Sequence, residues 1–267
     1  MHMHPHRTSA FTLVEMALVI SIIGLLIGGI IAGKSLLHSA ELRSVATDIT
    51  RYATAAKQFH EQYNAIPGDM PNATRYWGVT AGNGTGTDTT CYDAVATGIS
   101  TCNGNGSGSV DGGIGTGHAA EINLFWQHLS LAGLVEGKFP GGSAAPTSCG
   151  SGTVCPNNSA FPGSGYTVVT STYQGAWGEV FSHETDGLTL FFGRFNSAAD
   201  IMFRATLLSA PDQAYIDAKI DDGKPDTGLM VTQPGMTGCL TGAYPNATYI
   251  VGNTAQNVCN LRYTIKF

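Results

Sequence analysis

From Phe11 to Gly33 the chain carries 23 residues with a single charge, Glu15. At 1.5 Å per residue this run reaches about 34 Å as a helix, and a bilayer core is about 30 Å thick. A helix that is apolar all round needs lipid or protein on every side, so no other feature restricts the fold as severely. The run is long for the apolar part of a secretory signal, usually about 7–15 residues. Its tail, Gly28 to Ser35, spells G-x-x-x-x-G-K-S. Three readings therefore compete: a membrane segment with a misplaced carboxylate, a signal peptide cut near Lys34, and the opening of a nucleotide-binding domain.

The nucleotide reading is the weakest. A phosphate loop turns wet backbone N–H groups toward its ligand, but here the loop would contain Ile30, Ile31 and Ala32. Downstream, no apolar strand ends in an aspartate that would serve magnesium. The glycines are better read as easing helix packing, and Lys34 as marking the membrane edge. Residues beyond Lys34 extend the helix. Leu42, Val45, Ile49, Tyr52, Ala56, Phe59 and Tyr63 recur at spacings of three and four, an amphipathic stripe. No proline interrupts before Pro67, which disfavours helix at the residue before it. The spacing predicts one helix from about 11 to about 64, roughly 80 Å long.

The remainder reads as a loop-rich body. Only 12% of the 267 residues are charged, against roughly 25% in ordinary soluble domains, and 35 are glycine. Residues 78–117 and 140–165 form Gly-, Ser- and Thr-rich loops. A helix is expected over 118–135, with Ile122, Phe125, Trp126 and Leu129 on its apolar side. Strands are expected at 166–173, 177–183, 188–195 and 201–208, with Gly187 in a hairpin turn. A short helix over 211–222 precedes further strands at 228–232, 247–251 and 261–267. The fold class is α+β, with an antiparallel sheet beside the long helix. Net charge is −6 with no basic patch, which gives nucleic acid no footing.

Six cysteines allow 15 pairings. The simplest is sequential: Cys91–Cys102, Cys149–Cys155 and Cys239–Cys259. Metal ligation is the rival, but no C-x-x-C occurs. Disulfides mark an oxidising compartment, so residues 91–259 are expected in the periplasm or outside the cell.

Glu15 then requires an explanation, because a carboxylate in lipid costs several kcal/mol unless it is paired. It lies near the helix start and has the option of reaching the interface. Alternatively, a cut between Ala10 and Phe11 creates an α-amine four residues before it. In an assembly, that amine on one subunit pairs with Glu15 of the next, and both charges are neutralised inside an apolar bundle.

At Ala10-Phe11-Thr12-Leu13-Val14-Glu15 the chain resembles the cleavage and N-methylation signal of type IV prepilins and type II secretion pseudopilins. The likeness covers residues 7–64. It implies a leader at 1–10, a transmembrane and spine helix at 11–64, and a periplasmic or extracellular globular domain at 65–267. It implies that a prepilin peptidase cuts before Phe11 and methylates the new amine, and that Glu15 serves methylation or docking into a helical filament. The implied partners are that peptidase, other pilin or pseudopilin subunits and an inner-membrane assembly platform, with no nucleotide. The implied location is the bacterial inner membrane, single-pass with a cytoplasmic N-terminus, and then a periplasmic or surface filament. The chain departs from the family in having Ala10 where glycine is usual, one leader cation besides histidines (Arg7), and Ala32 where many pilins carry proline. Lys34, Arg43 and Arg51 also oppose the positive-inside rule. A large or minor pilin-like subunit is the implied type. A tip pilin acting as an adhesion or DNA-uptake module, and a secreted soluble protein, are the alternatives.

Some major pseudopilins bind calcium in a C-terminal loop, which draws attention to Asp217, Asp221, Asp222 and Asp226. The spacing does not match an EF-hand loop, because Ala218 would occupy its first position. Lys219 and Lys224 lie among the acids. A solvated helix end is the preferred reading, a calcium site the alternative, and no other cofactor is expected. No catalytic group is expected either. His118, Glu121 and His128 are spread over nearly three turns, and His183, Glu184 and Asp186 lack a nucleophile and the H-E-x-x-H spacing.

Overall fold

An unbroken helix, α1, runs from Leu13 to Tyr63 in the computed structural model. The structure describes residues 12–79, 101–110, 121–141, 154–170, 187–194, 206–233, 236–242 and 244–267. Two compact units divide the chain, Met1–Glu41 and Leu42–Phe267. The division falls inside α1 because its side chains from Leu42 onward belong to the core of the second unit. Helix α1 ends where Asn64 adopts φ 49°, a left-handed conformation that asparagine tolerates at helix ends. Gly68 follows at φ 88°. A Cβ there would lie 2.4 Å from the Glu121 carbonyl oxygen, so only glycine lets this turn approach the next long helix.

The other helices are α2 (Thr74–Trp77), α3 (Glu121–Leu131) and α4 (Ala210–Ile220). The main sheet has the order β1-β2-β6-β3, formed by Ser164–Thr170, Leu188–Arg194, Leu261–Ile265 and Met230–Val231. All its pairings are antiparallel, with Tyr166 opposite Phe192, and Leu190 opposite Tyr263. Leu240–Thr241 and Thr248–Tyr249 form a separate two-stranded ribbon, β4–β5. The architecture is therefore α+β, with a long apolar N-terminal helix and an antiparallel sheet.

The amphipathic stripe packs as its spacing predicts. Leu42, Val45, Ile49, Tyr52, Ala56 and Phe59 are all buried. The Tyr52 ring meets Trp126 of α3 and Tyr166 of β1 edge-on, each at 5.0 Å between centroids. A polar latch aligns helix and sheet within this core. Asp48 accepts hydrogen bonds from the Tyr166 hydroxyl at 3.1 Å and the Asn158 amide at 2.9 Å. Arg51 pairs with the same carboxylate at 3.0 Å. Burial, reinforced by Asp48, pushes the Tyr166 phenol up, so it remains the donor of this bond.

Several elements differ from the sequence expectation. The expected strand at 201–208 is described only from residue 206, where its one ladder contact is a bridge between Leu208 and Cys259. Ser209 instead caps α4, its hydroxyl accepting from the Asp212 N–H at 3.3 Å. The strands at 228–232 and 247–251 shrink to two residues each. Strand 177–183 lies outside the described residues. Helix α2 and strand β4 are too short to leave a periodic signal.

Cys239 is bonded to Cys259, 20 residues away. This ties the β4–β5 ribbon to the residue that leads into β6. Closing a loop of about this length contributes about 3 kcal/mol by restricting the unfolded chain. Replacing both cysteines by alanine is expected to lower the melting temperature of the detergent-solubilised chain by about 5–10 °C. An unchanged melt would show that packing alone holds the ribbon. Cys102 and Cys155 are also disulfide-bonded. Cys91 and Cys149, their expected partners, lie outside the described residues.

Candidate functional site

The start of α1 is held by a reciprocal pair of side chains. The Thr12 N–H and hydroxyl both donate to Glu15 Oε2, at 2.8 and 2.9 Å, and the Glu15 N–H donates back to Thr12 Oγ1 at 3.3 Å. This is a capping box, which satisfies donors that have no partner within the helix. The T-x-x-E spacing signals it in the sequence, but the reading of Glu15 through its charge alone passes over it. Glu15 Oε1 has no partner among the described residues. A cut between Ala10 and Phe11 leaves the Thr12 N–H as an ordinary amide, so the box survives processing. Ala10 and Phe11 lie outside the described residues.

Beyond the cap, α1 is long and apolar enough to cross a membrane. Fifteen large apolar side chains between Leu13 and Leu37 are exposed. At about 2 kcal/mol each, leaving them in water forfeits on the order of 30 kcal/mol. An apolar surface of this size is consistent with a segment that meets lipid or other apolar helices. Gly28–Ser35 is helical throughout. Its backbone N–H groups run along the helix and form no phosphate cradle.

The acidic cluster is corrected by the structure. Asp217 is fully buried rather than part of a solvated helix end. Its Oδ1 accepts from the Gly223 N–H at 3.1 Å and its Oδ2 from the Tyr249 hydroxyl at 2.7 Å. Burial pushes its pKa up to about 7, with smaller contributions from Asp221 and Asp222, while the two hydrogen bonds oppose the rise. Asp221 accepts from the Met230 N–H at 2.6 Å, Asp222 from the Lys224 N–H at 2.9 Å, and Asp226 from the Ala247 N–H at 2.9 Å. Oxygens of Asp217, Asp221 and Asp222 lie within 4.8 Å of one another, without Asp226. Each of the four carboxylates thus accepts a backbone N–H. These bonds fold the segment after α4 onto β3 and β5. Of the two lysines among these acids, Lys224 works against burial to lower the pKa of Asp222 through its charge, whereas the Lys219 ammonium lies 5.7 Å over the Tyr215 ring.

His128 and Glu121 are scaffold groups. His128 is fully buried. Its Nδ1 accepts from the Gly68 N–H at 3.0 Å, and its Nε2 donates to the Cys102 carbonyl at 3.2 Å. Its ring stacks on Phe59 and Trp77. Burial brings its pKa down to about 4, against the bond to Cys102, so it is neutral near pH 7. The Glu121 carboxylate accepts from the Asn105 N–H at 3.0 Å. His118, His183, Glu184 and Asp186 lie outside the described residues.

Comparison with protein-family models, with curated proteins and with solved structures finds no match. The functional reading therefore rests on the geometry of α1 and its body and on the residues at 7–64.

Proposed function

We propose that this chain is a structural subunit of a helical filament, a type IV pilus or a type II secretion pseudopilus. In this reading a prepilin peptidase cuts between Ala10 and Phe11 and methylates the new amine. The subunit then waits in the bacterial inner membrane, held by Leu13–Leu37, until an assembly platform draws it into the filament. Its work is mechanical rather than catalytic. The observation that supports this best is the division of labour along α1. The helix is apolar and exposed up to Leu37, and from Leu42 its stripe is buried in a disulfide-bonded body. A lone carboxylate with one open oxygen stands at its start. A soluble protein gains nothing from such a helix, whereas a filament uses both halves.

Filaments sheared from the native envelope test the reading when the chain is counted in them. Many copies per filament are expected. Recovery only as a soluble periplasmic protein would overturn it, and one or a few copies per filament would make the chain a tip module.

A further inference from the structure

We propose that a groove on the second unit binds one anionic phospholipid of the membrane in which the subunit is anchored. The inference rests on the proposed membrane role of Leu13–Leu37. The groove has a volume of about 740 Å³ and follows α1 from Arg43 to Gln58, with Leu134, Lys219 and Ile220 opposite. The fifteen helical rises from Arg43 to Gln58 make it about 22 Å long.

Its chemistry is that of a site for an amphiphile. Ala46 and Ala55 keep the floor low. The hydroxyls of Thr47, Thr50 and Thr54 donate to carbonyls of their own helix at 2.8–2.9 Å, which leaves few donors for a ligand. Leu134 and Ile220 make the facing wall apolar. Three cations border this trough, and among the described residues no carboxylate lines it. Arg51 is neutralised by neighbouring Asp48. Among the described residues Arg43 bonds only the Tyr215 hydroxyl, at 3.2 Å, and Lys219 lies over the Tyr215 ring. Two positive charges therefore border an apolar channel without a carboxylate to answer them there. An anionic headgroup with its acyl chain complements both features, whereas a free anion answers only the charges.

The covalent chain brings such a ligand within reach. Arg43 is six residues beyond Leu37, the last exposed large apolar side chain of the anchoring run. Six residues span at most about 20 Å in any conformation. The cation is thus tethered near the headgroups for as long as the helix sits in lipid.

Native mass spectrometry of the full chain in neutral detergent tests the proposal, with phosphatidylglycerol and phosphatidylcholine of matched acyl chains as probes. Phosphatidylglycerol is expected to be retained over phosphatidylcholine. Arg43→Gln and Lys219→Gln are each expected to reduce that retention about fivefold, and together to bring the two lipids level. Arg43→Lys and Lys219→Arg keep the charge and the retention, and Lys34→Gln leaves it unchanged. Inorganic phosphate at millimolar concentration is expected not to displace the lipid. Equal retention of the two lipids, or retention unaffected by the double variant, overturns the proposal. Displacement by phosphate would make the groove a free-anion site. Loss of self-association in the double variant, with no change in lipid retention, would assign the groove to a second copy of the chain. A chain found to start near Lys34 contradicts the membrane role itself, a failure the lipid titration on the anchored chain does not produce.

Discussion

Glu15→Gln is expected to remove the chain from filaments while leaving its helix capped. Glutamine serves the capping box as glutamate does, so the bonds from Thr12 to Oε2 have a neutral substitute. What it lacks is charge. If Glu15 neutralises the Phe11 amine of a neighbour, the variant leaves an ammonium without a partner in an apolar bundle. Breaking one member of such a pair costs about 3–5 kcal/mol, a loss of about 100-fold or more in the association constant at every subunit contact. Thr12→Ala inverts the experiment. It dissolves the box, costs about 1 kcal/mol of capping, and preserves the carboxylate. Its incorporation is expected to stay within about fivefold of the unmodified chain. Glu15→Ala loses both functions and is expected to fail as Glu15→Gln does, with a folded body. Incorporation of Glu15→Gln at the unmodified level would reduce Glu15 to a helix cap.

The second large effect is a pair of opposed proton linkages in the body. His128 has a pKa near 4 in the folded chain, against about 6.5 when unfolded. Between those values the unfolded chain holds a proton that the folded chain does not. Stability from this site therefore rises with pH across the window, by about 3 kcal/mol. Asp217 acts in the other direction. Its folded pKa is near 7, against an ordinary value of 3.8, so in that range the folded chain holds the extra proton. Its contribution is complete below about pH 3.8 and is lost as pH rises to about 7, by about 4 kcal/mol. From about pH 4 to 6.5 the two slopes nearly cancel.

Single variants expose each slope. Asp217→Asn keeps groups able to meet Tyr249 and Gly223, and it cannot ionise. It is expected to match the unmodified chain at pH 4 and to exceed it in stability above pH 7. The stability penalty of His128→Gln is expected to shrink as pH falls from 6.5 to 4. Denaturant unfolding at a series of pH values reads both. Parallel curves for Asp217→Asn and the unmodified chain from pH 4 to 8 would show that Asp217 is ionised throughout.

The long helix is legible in the sequence because its two periodic regimes, apolar all round and then striped, extend over many turns. The positions Leu42 to Phe59 follow directly from that spacing. Strand β2 and helix α4 are also readable, from the apolar run after Gly187 and from Pro211 with Gly223. Short elements are less so: β4 leaves no signal, and the strands expected at 228–232 and 247–251 contract to the two-residue β3 and β5, whose extent is set by their partners rather than by any period. Asp217 illustrates the other limit. In sequence it is one acid among several at a helix end, and its burial depends on Tyr249, 32 residues further on. Likewise, Asp48 reads as a charge off the apolar stripe, yet Tyr166 and Asn158, more than 100 residues later, make it a latch. The role of Thr12 is within reach of local reasoning, since T-x-x-E before an apolar run is a helix-start signature.

The most direct test of the account is the mass of the N-terminal peptide of the chain purified from its native envelope. A peptide beginning at Phe11 and carrying one added methyl group is the predicted result. A peptide beginning near Lys34 would contradict it, making Phe11–Gly33 a discarded signal and the body a secreted protein.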